Sequence, residues 1–408
     1  MNIRRILLIV GFALSVIVMG WLLYYFFFSS ENPLIGPGNQ NVNGTLPAPI
    51  NGNISVVPNT NGTVSLPGFG PEIDLTAPTD VARGGLTKVS DYGNASVQDF
   101  VAGEGGPLYY DRVASRFFKL EGTQATPLTD TKFFNVQKVT WSGDQRKAVL
   151  EYPDGSNIVY DFATNKQVTL PKELEDFSFN ASATQVAGKW VGKTADENWL
   201  MVGNTDGSNL RLIEPIGDRA HNVQVGFSPN NQIVAMVRRP ADANNQAILP
   251  IGLLGENFQE FKVEGLKFES KWAPSGTTLM YNVSTADTGY NPHLWITSGT
   301  TETLGSSHID LKLNTTIDKC AFDSTGSSVY CAEPTSLPRG SGLYPELAEG
   351  VPDAFYRIDL RSGQKIPLAL PVGSQLGYSA ESLSLSADGS LLYFVDSTTN
   401  RLHSIRLK

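Results

Sequence analysis

Charge is scarce in this chain, and so are the residues that usually carry chemistry. Only 17% of its 408 residues are Asp, Glu, Lys or Arg, and the 40 acids outnumber the 31 bases. A surface that neutralises nucleic-acid phosphates needs the opposite excess gathered into a stripe, so no nucleic-acid partner is expected. The four histidines, His221, His293, His308 and His403, are scattered and never pair at the spacing of a helical metal site. No metal or other cofactor is therefore expected. There is no Gly-x-Ser-x-Gly nucleophile elbow, and no hydrolase domain is expected beyond the last repeat. The only two cysteines stand too far apart for a Cys-x-x-Cys redox pair. No catalytic residue can be named on these grounds. Helical apolar periodicity is missing too, outside the extreme N-terminus, while Gly, Asn, Ser and Thr are abundant, so the body reads as nearly all β.

What is present begins with an apolar run. From Ile6 to Phe28 no charge occurs, and about 23 residues make a helix of roughly 35 Å, enough to cross a bilayer. Arg4 and Arg5 precede it and no Lys or Arg follows until Arg83. The positive-inside rule then puts the N-terminus in the cytoplasm and the rest outside. A cleaved signal peptide would have a shorter apolar core, and Tyr24 to Phe28 make a poor cleavage site. Residues 1–28 are thus expected to be a cytoplasmic stub and single-pass anchor. Residues 29–83, rich in Pro, Gly and Asn, alternate over no strand's length and cannot build a core, so they read as a flexible stalk.

The remainder is repetitive. Seven times an aromatic residue or leucine opens a polar turn that runs into a β-branched stretch: Phe100 (FVAGEGGPLYY), Trp141 (WSGDQRKAVL), Phe179 (FNASATQVAG), Phe227 (FSPNNQIVAM), Trp272 (WAPSGTTLMY), Phe322 (FDSTGSSVYC) and Leu385 (LSADGSLLYF). The period, on the order of 40–60 residues, is that of a propeller blade. In each copy the aromatic ends a first strand and the turn leads to a second. A third follows, as in NIVYDF at 157–162 or HLWIT at 293–297, and turns such as that at 204–209 lead to an outer fourth. After Leu402 to Leu407 no outer strand is left, and Leu86-Thr87-Lys88-Val89 resembles the stretch Pro127-Leu128-Thr129-Asp130, expected to be the outer strand of the first repeat. The expected fold over residues 84–408 is a seven-bladed β-propeller whose N-terminal strand completes the seventh blade and covers its open edge.

The runs FSPNNQIVAM, WAPSGTTLMY and NTDGSNLRL (204–212) resemble the WD-like repeats of TolB-type propellers, over about residues 84–408. With KCAFDSTGSSVYCAEP (319–334), the anchor and the stalk, the layout is also similar to uncharacterised single-span, membrane-anchored propellers of candidate-phylum bacteria. The resemblance implies blade architecture and carries no catalytic residue. TolB-type proteins have a further N-terminal domain where this chain has an anchor.

Cys320 and Cys331 flank the turn at Thr325-Gly326. A four-residue loop, Ser324 to Ser327, pairs Asp323 with Ser328 and sets the cysteines side by side at a close, non-hydrogen-bonded position. A disulfide is expected, and an extracytoplasmic location permits it. The longest interruption of the repeat runs from Glu333 to Pro352, between the second and third strands of blade six, and contains Arg339, Tyr344 and Glu346. The same face should hold Arg238, Arg239 and Asp242 of blade four, and Asp287, Tyr290 and Asn291 of blade five. Long loops on a rigid scaffold concentrate binding residues, and Arg and Tyr favour contacts. The function expected is a protein- or glycan-binding or scaffolding module at the cell surface. The alternatives are a glycan- or peptide-processing enzyme with acids at the propeller channel, and an envelope sensor or assembly factor.

Overall fold

The computed structural model describes residues 77–408, together with Leu14, Val18, Met19 and Trp21. The chain divides into two units, Met1–Val57 and Pro58–Lys408. In the first, the four described residues are helical and exposed. Apart from these four residues, the anchor expected from Ile6 to Phe28 lies outside the described residues, as does most of the expected stalk, and among the described residues no helix is long and apolar enough to cross a membrane.

The second unit carries seven sheets, each built on an antiparallel meander that runs outward in chain order, with a strand from the N-terminal segment added at the outer edge of two of them. Blade one spans Val97–Gly103, Gly106–Asp111, Arg116–Glu121 and Gln124–Pro127. The inner strands of the other six are Lys138–Trp141, Leu174–Phe179, Val223–Val225, Leu266–Trp272, Cys320–Phe322 and Ala380–Leu385. Neighbouring inner strands touch one another around a central channel. A meander is buried on both faces only if another blade packs on each side, and its second strands read accordingly as unbroken apolar runs, such as Ile233 to Val237. The core is divided among seven clusters, each made by two adjacent blades. One of them joins Tyr393, Val395 and Leu402 of blade seven to Val97, Phe100 and Tyr109 of blade one, so the ring is closed.

The turns between first and second strands repeat one geometry. Gln145, Ala183, Asn231, Gly276, Gly326 and Gly389 all take a left-handed conformation, and each donates its N–H to the carbonyl three residues earlier. Glycine suits this position because no Cβ meets the following carbonyl. Polar side chains then pin blade to blade. Asn157 Nδ2 donates to Leu174 O at 2.6 Å, Asn282 Oδ1 accepts from Ile317 N at 3.0 Å, and Asp353 Oδ2 accepts from Ala380 N at 2.6 Å.

Three expectations need correction. The N-terminal segment does complete blade seven, but through Ser90–Asp91, antiparallel to His403 and Ser404. Leu86–Lys88 instead runs parallel to Leu370, Pro371 and Val372, as a fifth strand on blade six. Backbone bonding to this strap begins at Thr79, inside the segment read as stalk. In blade one, Phe100 does not end its strand, since Val101 stands opposite Leu108 as Trp141 stands opposite Ala148. A bulge at Asp99 displaces the register by one. Finally, the outer strand there is Gln124–Pro127, of which the expected stretch 127–130 shares only Pro127.

Candidate functional site

The loops between second and third strands lie on the face opposite the left-handed turns. The largest, residues 335–352, closes its ends through Thr335 N donating to Pro352 O at 2.8 Å, and it carries the short helical turn Pro345–Ala348. It is fastened to blade five: Gly340 N donates to Gly289 O at 2.8 Å, and Gly342 N to Tyr290 O at 2.9 Å. A side chain at Gly342 is impossible without a shift, because its Cβ would lie 1.9 Å from Ser284 Oγ. Tyr290 itself is held left-handed, its N–H on Thr285 O at 2.7 Å. This close approach gathers Asp287, Tyr290 and Asn291 of blade five with the loop that bears Arg339, Tyr344 and Glu346. Arg339, Tyr344, Glu346 and Asp287 are exposed, with Tyr344 at 59% and Leu347 beside it at 45%.

The blade-four residues are used otherwise. Arg238 turns inward and donates to the carbonyls of His221 at 2.9 Å and Phe268 at 3.0 Å, and burial lowers its pKa. Arg239 lies 3.8 Å from Glu260. Asp242 caps its own turn, accepting from the N–H groups of Asn244 and Asn245, and the first of these bonds leads in holding its carboxyl below the ordinary range. Blade four meets Asp287 and Tyr290 instead through Asn244 and Glu264, around a cavity of about 240 Å³.

A larger cavity, of about 760 Å³, opens at the channel mouth across blades seven, one, two and three. Its position follows from the bulges. Asp99, Asp176, Lys267 and Ser382 take left-handed conformations in the inner strands of blades one, three, five and seven, and each precedes a buried Phe or Leu: Phe100, Phe177, Phe268 and Leu383. A bulge re-aims its neighbours, and here Asp99, Asp176 and Glu381 line one cavity with Lys138 and Glu151. Lys138 Nζ lies 3.1 Å from Asp176 and 3.8 Å from Glu151. Burial pushes Asp99, Glu151 and Glu381 above the ordinary carboxylate range. Burial acts on Asp176 in the same sense, but its bond to Lys189 and the charges of Lys189 and Lys138 hold it below that range. A smaller cavity of about 330 Å³ continues past Lys138 and Asp176 to Arg238 and Glu269, whose carboxyl is likewise raised by burial.

The sequence suggests acids at the channel only as an alternative and singles out none of these acids. The signal is the tripeptide Gln98-Asp99-Phe100, echoed by Glu175-Asp176-Phe177 and Glu381-Ser382-Leu383, in which a polar pair interrupts strand alternation immediately before a core residue. The cysteines stand where expected, paired across adjacent strands and joined as a disulfide. Among the described residues no three His, Cys, Asp or Glu are placed to hold a metal ion. His293 bonds Asp310 and Asn314, His308 bonds Tyr281, and His403 bonds Asp91 on the strap.

No protein-family model matches the chain, and no curated protein does. Solved structures do. The β-propeller domain of Myceliophteria thermophila Cps50 (Swd1) is 11% identical, with a TM-score of 0.51 over 78% of this chain and 99% of that one. An oligogalacturonate lyase in complex with manganese is 15% identical, with a TM-score of 0.47 over 80% and 99%. The tricorn protease is 12% identical at 0.48, over 82% of this chain but 34% of that one. Likeness at such identities shows the propeller fold and nothing finer.

Proposed function

We propose that the chain is a membrane-anchored, extracytoplasmic propeller of TolB-like type, which holds a protein or glycan partner on the face bearing residues 335–352. The observation that carries this reading is the fastening of that loop to blade five by the two glycine N–H bonds. A loop fixed in place loses little entropy on binding, and it presents Tyr344, Leu347 and Arg339 to solvent beside Asp287. Tyrosine and arginine on a preformed rim are the residues that most often carry binding energy.

The test begins with partners isolated alongside the solubilised protein from its own cells. Arg339→Ala and Tyr344→Ala are each expected to weaken their binding by more than about 1 kcal/mol without moving the melting temperature. Ser275→Ala, in a turn of the opposite face, is expected to leave it unchanged. Loss with Ser275→Ala alone would assign the partner to the other face.

One observation favours a second reading, a glycan- or peptide-processing enzyme. Asp99, Glu151 and Glu381 line a single cavity, and burial raises the pKa of each, as a general acid requires. Cleavage of a glycan or peptide substrate that disappears with Asp99→Asn would establish it.

A further inference from the structure

Glu381 stands where two cavities meet. It lies in the inner strand Ala380–Leu385 of blade seven, next to the left-handed Ser382, and lines both the channel-mouth cavity and another of about 430 Å³. Both volumes fall in the range of small-ligand sites. The second cavity lies against the blade-six loop, and its apolar lining includes Pro334, Leu337, Pro345 and Ala348, with Pro292 from blade five.

The carboxylate at this junction has no protein partner among the described residues, and its oxygens are open to the cavities rather than sealed from solvent. The Glu381 side chain makes no hydrogen bond or ion pair with any described residue, while its backbone is paired opposite Val395. Lys319, the cation that acts on it most, is committed elsewhere, with its Nζ 3.0 and 2.8 Å from the two oxygens of Asp353. Asp99 adds a like charge from the neighbouring blade. A half-buried, unpaired carboxylate is costly unless something else supplies the partner.

We infer that Glu381 anchors a binding site for a ligand in which an ammonium group is joined to an apolar body. The ammonium supplies the missing charge and hydrogen bonds, and the hydrocarbon lies along Pro334, Leu337, Pro345 and Ala348. The chain's own N-terminal segment is not this ligand, since no Lys or Arg occurs between Arg5 and Arg83. The site does not rest on a macromolecular partner at the Tyr344 rim, and the two are tested by different substitutions.

The probe is 1,5-diaminopentane, with 1,5-pentanediol as its neutral counterpart and a glucosamine tetramer as an ammonium source without an apolar body. Ligand-observed NMR with the full-length chain in detergent is expected to show saturable binding of the diamine, at least ten-fold tighter than the diol or the tetramer. Glu381→Gln should reduce diamine affinity at least ten-fold while the melting temperature holds or rises, because a desolvated charge is removed. Ala348→Trp, which fills the apolar cavity from a surface loop, should do the same to affinity, and Asp388→Asn on the opposite face should do nothing. The inference is overturned if the diamine does not saturate, if diol or tetramer binds as well, or if either Glu381→Gln or Ala348→Trp binds like the wild type.

Discussion

Asp176 shows how much one side chain can be asked to do at this channel. Its backbone takes the left-handed conformation that bulges the inner strand of blade three, while its carboxylate reaches Lys138 of blade two and Lys189 of its own blade. The cost of burial is outweighed by the two lysines, which leave its folded pKa below the unfolded one. A depressed carboxyl pKa contributes stability that is fully present above the unfolded value, about 4, and is lost as pH falls through the folded value. Wild type should therefore melt above Asp176→Asn at pH 7, and the gap should close as pH is lowered through that window. A gap that stays constant down to pH 2 in thermal melts would mean that the ion pairs contribute nothing. Because the site is half exposed, solvent screening keeps the effect modest. Next to it, Glu151, Asp99 and Glu381 carry the opposite shift, so acid should relieve them while it weakens Asp176. Stability and ligand attraction pull in different directions within one cavity, as is common where buried charge serves binding.

At the scale of the element, the strap from Thr79 to Asp91 is the part whose loss should be felt most. It adds a parallel strand to blade six and an outer strand to blade seven through Ser90–Asp91, and sends Ala82 N to Arg406 O at 2.8 Å. Deleting residues 84–91 uncovers two sheet edges and removes the Asp91 bond to His403. It should lower the melting temperature well beyond a deletion of residues 39–61; equal melting of the two would show that the strap is ornamental. The sequence made half of this element legible. The strand-like stretch before the first repeat announces an added pairing, but a two-residue pairing has no periodicity to read, and nothing in Leu86-Thr87-Lys88 distinguishes parallel pairing on blade six from antiparallel pairing on blade seven. The hairpins were legible because their turns need left-handed residues, and the disulfide because a four-residue loop fixes the register of Cys320 and Cys331. The long loop at 335–352 was legible by its length. The channel mouth was not, since each bulge breaks the period-two pattern by one residue and leaves Asp99 and Glu381 looking like ordinary strand polar positions.

For the whole molecule, the seven interblade cores make the propeller a closed body with two unlike faces. One presents the short left-handed turns, and the other the fastened loop and the cavities. A body of this kind suits the tethered module proposed above, because its ring closes on itself between blades seven and one. Where the tether holds it is then the remaining question of function. Of the cationic residues only Arg4 and Arg5 lie before the apolar run, and no Lys or Arg follows it until Arg83, which favours an N-in, C-out orientation. A disulfide in blade six is consistent with an oxidising compartment, since such bonds are rare where thiols are kept reduced. Protease added to intact spheroplasts should accordingly cut between the anchor and Thr79 and release a folded propeller that still carries a C-terminal tag. The closed β-body itself should resist digestion, because cleavage needs locally unfolded backbone. A tag that stays cell-associated and protected until the membrane is permeabilised would place the propeller in the cytoplasm and overturn both the topology and the proposed surface role.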